Sequence, residues 1–151
     1  MVENYEITKA NYEDLEEILD LQHLAYITEA QRFNNMNIQP LTETLDELID
    51  EYNSGLVIKM TINNKIIGSI RAREENGTVH IGKLMVHPDY RKNGFGSLLL
   101  TELENLFPNK RYELFTSTRS LDNIRMYERL GYTPFKIEDE DKEISFVFFE
   151  K

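Results

Sequence analysis

Residues 79–107 constrain this chain more than any other stretch. They begin VHIGKLMVHP, β-branched and apolar enough for a buried strand. Pro88 closes that strand, because proline has no N–H to give a sheet ladder. Farther on, Phe95, Leu98, Leu99, Leu103 and Leu106 recur at near-helical spacing, which predicts an amphipathic helix. Between strand and helix sit Gly94 and Gly96, separated only by Phe95. Glycine tolerates positive φ and lets another group approach the backbone. The first N–H groups of a helix lack intrahelical partners and carry partial positive charge. A loop of free amides running into a helix is therefore an anion site, phosphate above all. Arg91 and Lys92 add formal charge beside it.

Two familiar phosphate loops do not fit. A dinucleotide fingerprint needs a glycine at position 99, which is Leu99. A P-loop ends Gly-Lys-Ser/Thr, where this chain has Leu99, Leu100 and Thr101. On these residues alone, an anion cradle and an empty β–α turn are both open.

A chain of 151 residues has the size of one domain with one core. It has no cysteine, which excludes disulfides, thiolate metal sites and a cysteine nucleophile. His23, His80 and His87 lack metal-ligand spacing, so no metal is expected. No segment approaches the ~18 unbroken apolar residues of a membrane helix. The start, MVENYEITKA, has no basic region followed by an apolar one, and a cytoplasmic protein is expected. A formal net charge of −10 opposes binding to nucleic acid or to an anionic membrane. It suits an amine-bearing substrate, or serves solubility alone.

Taken in order, Tyr5–Lys9 alternates as a first strand. Asn11 is an N-cap candidate for a helix reaching about Ala30. Gln31–Pro40 reads as a loop, and Pro40 and Thr42 open a second helix that Asn53-Ser54-Gly55 stops. Leu56–Ile62 and Lys65–Arg73 flank a two-residue Asn63-Asn64 hairpin turn, and Glu75-Asn76-Gly77 leads into a strand at Thr78–Val86. After the helix, Tyr112–Thr116 is a strand, Ser117–Asp122 a loop and Asn123–Leu130 a short helix closed by Gly131. Tyr132–Ile137 and Ile144–Phe149 form a last hairpin across Asp139-Glu140-Asp141. The order is β-α-α-β-β-β-α-β-α-β-β. Phe146, Val147, Phe148 and Phe149 form an apolar run expected to be buried on both faces, by helices or by a partner subunit. Tyr26, Phe33 and Tyr52 either line a pocket or fill the core.

The segment Arg91-Lys92-Asn93-Gly94-Phe95-Gly96, straight after Leu84-Met85-Val86-His87-Pro88, resembles the pyrophosphate loop of GNAT-superfamily N-acetyltransferases. That loop reads R/Q-x-x-G-x-G/A and binds coenzyme A. The element order is similar as well, with the match most specific at 79–107 and 119–133 and weakest at 28–55. The resemblance implies an α/β (α+β) acyl-CoA N-acyltransferase fold, a mixed, mostly antiparallel sheet with helices on both faces, in one domain spanning 1–151. It implies acetyl-CoA as cosubstrate and an amine acceptor, small molecule or peptide, that attacks the thioester directly. A non-catalytic acyl-CoA-binding sensor of the same fold is the alternative. A homodimer is also expected, as dimers are frequent among related enzymes.

The resemblance also carries roles onto residues. Backbone of Leu84, Met85 and Val86 would hold the pantetheine arm and polarise the thioester carbonyl, while their side chains fill the core. The amides of Lys92, Asn93, Gly94, Phe95, Gly96 and Ser97, with Arg91 beside them, would take the pyrophosphate. Tyr127, in a segment ending Tyr-x-x-x-Gly-Tyr, would protonate the departing thiolate; a phenol of reference pKa near ~10 stays protonated at neutral pH. It would equally pack as core, sharing a face with Ile124 and Leu130. Ser120 stands seven before that tyrosine, where the family commonly has Asn, and Asn123 stands four before it, where alanine is usual. Both are candidate cofactor contacts and candidate helix caps. For a general base the candidates are His80, Glu29 and Glu43, or no dedicated group.

Overall fold

The computed structural model describes residues 4–151. The elements are β1 (Glu6–Lys9), α1 (Leu15–Phe33), α2 (Gln39–Thr42), α3 (Leu45–Ser54), β2 (Leu56–Ile62), β3 (Lys65–Glu75), β4 (Thr78–Val86), α4 (Phe95–Leu106), β5 (Arg111–Ser117), α5 (Leu121–Arg129), β6 (Thr133–Asp139) and β7 (Ser145–Glu150). Seven strands form one sheet in the order β1-β2-β3-β4-β5-β7-β6. Every neighbouring pair is antiparallel except β4 and β5. The turns that set the register are those read from the sequence: Asn63 and Asn64 both take positive φ, as do Asn76 and Gly77.

Residues 66–72 of β3 are buried on both faces, between α1 and α4. On one side Leu99, Leu100 and Leu103 of α4 are wholly buried against Ile58, Ile70 and Phe149. On the other, Leu15, Ile18 and Leu21 of α1 pack on Val57, Ile66 and Met85. Each such side chain contributes about 1.5–3 kcal/mol. Gly68 sets how close α4 comes, since a Cβ there would stand 2.9 Å from Leu99 Cδ1. Among the described residues no helix is long and apolar enough to cross a membrane.

Sheet pairing fails at one place that matters. The parallel ladder of β4 and β5 holds only Thr78↔Arg111, Val79↔Tyr112 and His80↔Glu113. Just beyond it β4 bulges against β3: Arg71 faces Gly82, yet Ser69 faces Met85. Lys83 takes up the extra length with a left-handed φ of 51°. A bulge adds twist and bends its strand. β4 thus leans away from β5, and its outer edge from 81 to 86 has no strand partner.

The structure corrects several boundaries. Helix α1 runs past Ala30 to Phe33, because Ala30 and Phe33 are both buried, and Asn34 ends it in a left-handed conformation. The expected second helix is two. Glu43 leaves helical geometry and Thr44 restarts it, its hydroxyl accepting from Glu47 N–H while the Glu47 carboxylate accepts from Thr44 N–H. Helix α5 starts at Leu121, so Asn123 lies in its first turn rather than capping it. The run 146–149 is not buried on both faces. Val147 and Phe149 are core, but Phe146 and Phe148 lie on an open face of the sheet.

Glu43 turns inward for a reason. Its Oε1 accepts from Arg71 at 2.9 Å and from Gln22 Nε2 at 2.9 Å. Arg71 also donates to Gln22 Oε1 and to Glu51, and Lys83 Nζ stands 3.7 Å from Glu43 Oε2. Gln22 Nε2 holds the Pro40 carbonyl at 2.8 Å. One buried polar network therefore joins α1, the α2–α3 corner, α3, β3 and the β4 bulge. Burial alone would raise the Glu43 pKa, but Arg71, Gln22 and Lys83 outweigh it and hold the carboxyl below its ordinary value. A lowered folded pKa stabilises the fold above the ordinary carboxylate range, and that contribution is lost as pH falls through the folded value. Removing the cation should cost more than the pair itself contributes, since Glu43 is left buried and unpaired. Arg71→Met should lower the unfolding free energy in urea by about 3–5 kcal/mol. Adding Glu43→Leu should recover part of that loss; no recovery would mean that the network is not what holds this corner.

Candidate active site

The bend between β4 and α4 is held from inside by Phe95, which is buried in the main core with its ring 5.8 Å from Tyr5. Asn93 braces it by donating to the Tyr90 carbonyl at 3.0 Å. Gly94 sits at φ 78°, and a Cβ there would meet nothing within 4 Å. The N–H groups of Lys92, Asn93, Gly94, Phe95, Gly96 and Ser97 find no acceptor among the described residues; Leu98 is the first to do so, on the Gly94 carbonyl at 3.1 Å. These amides head a twelve-residue helix whose dipole favours an anion at this end. The donor set fits a diphosphate. Arg91, beside these amides, also has a structural part. Its guanidinium donates to the Ala25 carbonyl at 2.8 Å and to Thr28 Oγ1 at 3.3 Å, tying the bend to α1. The Lys92 side chain is exposed.

From this bend a cleft of about 1480 Å³ follows the gap between β4 and β5. Leu84, Met85 and Val86 form one wall. Met85 is buried in the core and Leu84 and Val86 pack at its margin, so their side chains are structural and their backbone faces the gap. The Leu84 carbonyl takes only a long contact, 3.5 Å, from the Tyr26 hydroxyl.

Helix α5 supplies the opposite wall. The Tyr127 ring lies between Tyr132 and Phe149, centroids 6.1 and 5.7 Å away. Its hydroxyl has no hydrogen-bond partner among the described residues, yet it is not sealed off and Tyr127 lines the cleft. Burial, with the nearby Tyr26 and Glu29, pushes its pKa well above the ordinary phenol value. It keeps its proton at neutral pH. Ser120, at the cap position, uses its hydroxyl elsewhere: it donates to Glu29 at 2.8 Å and accepts from Arg32 at 3.1 Å. Those bonds strap α1 to α5 across the cleft. Asn123 donates to Thr116 Oγ1 at 3.3 Å, also within the lining.

The three base candidates differ. Glu43 is held ionised by Arg71, which lowers its affinity for a proton. Glu29 is engaged by Arg32 and Ser120. His80 lines the cleft at the last position where β4 pairs with β5, its Nδ1 3.7 Å from the Glu113 carboxylate. His87 is a turn residue, its Nδ1 accepting from Asp89 N–H at 3.1 Å. Two cleft residues escaped the sequence reading. Lys83 faces inward only because of the bulge, which no periodicity announces, and burial lowers its pKa against the pull of Glu43 and Glu51. Arg71, which the strand at Lys65–Arg73 does not single out, is buried with Nε unpartnered among the described residues. Tyr26 and Phe33 line the cleft, whereas Tyr52 packs edge-on to Tyr12.

Comparison with known proteins gives a consistent result. A family model described as "Acetyltransferase (GNAT) family" matches residues 13–132. The N-terminal acetyltransferase B complex catalytic subunit NAA20 of Arabidopsis thaliana is 25% identical over 118 residues, 70% of this chain and 68% of that protein. The ribosomal-protein-S18-alanine N-acetyltransferase of Escherichia coli superposes with a TM-score of 0.81 at 16% identity, covering 97% of this chain and 92% of that one. The PaiA N-acetyltransferase of Thermoplasma acidophilum, solved in complex with coenzyme A, superposes at 0.74 with 21% identity over 98% of both chains. The sequence match extends well beyond half of the chain and the structural likeness runs almost end to end, so this chain belongs to the acetyltransferase (GNAT) family.

Proposed function

We propose that this chain is an acetyl-CoA-dependent N-acetyltransferase whose acceptor, a primary amine of a small molecule or peptide, attacks directly, all within one domain. The observation that carries this reading is the continuity of three features in one cleft: six unpaired amides, an unpaired strand edge and a protonated tyrosine. The solved complex of PaiA with coenzyme A supports the choice of ligand. Acetyl-CoA would supply an activated acyl group on a good leaving thiolate.

The chain's own groups then have separable tasks. Amides of residues 92–97 bind the diphosphate, and Arg91 fixes their bend against α1. Backbone of Leu84, Met85 and Val86 holds the pantetheine arm in the manner of a missing strand and offers a donor to the carbonyl oxygen as charge develops there. Tyr127 gives its proton to the leaving sulfur. Ser120 and Asn123 lie beside this arm at the head of α5, Ser120 through its strap to Glu29. His80, the one imidazole lining the cleft among the described residues, takes the amine proton.

Each task has its own measurement. Gly94→Val puts a β-branched residue at φ 78° and fills the cradle, so acetyl-CoA should bind at least about tenfold more weakly by calorimetry. Unchanged affinity would empty the cradle of its role. Tyr127→Phe should retain acetyl-CoA binding while kcat falls by about a hundredfold; a kcat within error of wild type would remove the tyrosine from the chemistry. His80→Gln should displace the acidic limb of the pH–kcat/KM profile. A superimposable profile would show that the amine loses its proton without this imidazole.

A further inference from the structure

Lys83 has no task in the transfer to an acceptor, yet it lies where that transfer takes place. The β4 bulge gives it a left-handed φ of 51° and turns its side chain into the cleft, where 16% of it stays exposed. Lys83 and Lys92 are the lysines of the cleft lining among the described residues; the other permanent cations there are arginines. Arginine does not give up its proton and cannot attack a carbonyl. Lys92 belongs to the bend of free amides. Lys83 instead directly precedes Leu84, Met85 and Val86, on the edge of β4 that has no strand partner. Its contact with Glu43 is long, Nζ standing 3.7 Å from Oε2. Arg71 and Gln22 each hold that carboxylate at 2.9 Å and Gln39 adds a bond at 3.4 Å, so Glu43 stays paired without the lysine. Burial lowers the Lys83 pKa and Arg71 adds to the effect, against the pull of Glu43 and Glu51. Neutral amine is therefore more available here than on an exposed lysine.

We infer that Lys83 is a self-acetylation site, at which the chain moves the acetyl group of bound acetyl-CoA onto its own Nζ. The inference rests on the acetyl-transfer reading above. Reach is its first support. Backbone one and two residues onward lies at most about 7 Å from the Lys83 Cα, within the span of a four-carbon stem. Proximity is the second, since an amine held beside a thioester reacts without the entropic cost of a collision. The step balances as an aminolysis. Neutral Nζ bonds to the thioester carbonyl carbon, and the carbon–sulfur bond breaks. Tyr127 gives its proton to the sulfur, and the proton shed by the nitrogen restores the phenol by way of solvent. The amide formed is uncharged, so the modified chain has lost the ammonium that faces Glu43.

The test incubates the wild-type chain with acetyl-CoA and no acceptor, then reads intact mass and maps the modified peptide. An acetyl group should appear on Lys83 at least about tenfold faster than on the exposed Lys142. Excess coenzyme A should suppress the reaction at Lys83 and leave Lys142 unchanged. Diluting the protein should not alter the rate, as a step within one chain requires. Lys83→Arg keeps the charge and should lose the fast acetyl group. A second readout needs no transfer by the chain: trace labelling of its amines with acetic anhydride, from which bound coenzyme A should protect Lys83 but not Lys142. Acetylation of Lys83 no faster than of Lys142, a fast acetyl group on another lysine, or a rate that rises with protein concentration would each overturn the inference. So would acetylation or labelling at Lys83 that coenzyme A does not slow. Where calorimetry shows acetyl-CoA bound and Lys83 stays unmodified, this inference alone fails. Acetyl-CoA that does not bind overturns the acetyl-transfer reading as well.

Discussion

The parting of β4 from β5 is the constraint on which everything else in this molecule depends. Two parallel strands that begin in register at Thr78–His80 would ordinarily stay paired, since each unpaired buried amide or carbonyl is costly. They separate because β4 spends extra length opposite β3 between Ser69 and Arg71, with Lys83 in a left-handed conformation to absorb it. A non-glycine residue held there costs free energy, so the surroundings must fix it in place. The return is a strand edge that faces a cleft rather than a neighbour. On the proposed reading, a bound pantetheine arm completes the sheet where β5 does not.

The buried network around Arg71 is what holds the bulge. Lys83 is the bulged residue, and its ammonium reaches Glu43, which Arg71 and Gln22 already hold. Rigid polar contacts thus run from α1 through the α2–α3 corner to the one irregular point of β4. This also decides between two roles for Glu43. A carboxylate whose pKa is lowered by a buried guanidinium is a poor proton acceptor. Its position in the cleft wall is better explained by what it anchors than by what it could abstract. Arg91 repeats the pattern at the other end of the cleft, where a basic residue beside the bend of free amides is tied to α1.

Much of this was legible in the chain. The Asn-Asn and Asn-Gly turns, the proline after β4 and Gly94 at the cap of α4 each impose a local geometry that tertiary contacts had no reason to override. Strand β4 and helix α4 consequently lie where residues 78–106 read. Less legible was everything set by distant partners. The break at Glu43-Thr44 depends on Arg71, twenty-eight positions away. The inward turn of Lys83 depends on a register shift, and strand alternation assumes that no such shift exists. The apolar run 146–149 signalled burial on both faces because hydrophobicity alone does not tell a core face from a partly open one. Residues 28–55, the weakest part of the family resemblance, also supply much of the cleft lining, Thr28, Glu29, Arg32 and Phe33 among them.

Tyr127 shows why packing and chemistry need not compete for one residue. Its ring is buried between Tyr132 and Phe149, which fixes the hydroxyl without a hydrogen bond among the described residues. The same burial disfavours the phenolate, so the phenol holds its proton at neutral pH. On the proposed reading the leaving sulfur draws that proton as the carbon–sulfur bond breaks, and the phenolate left behind, the stronger base of the two, is reprotonated from solvent. Solvent-exposed tyrosine would offer the same atom without the placement. On that reading the core, closed by α5 over β7, is what places the acid, and a cavity opened beneath the ring at Phe149 would loosen both at once.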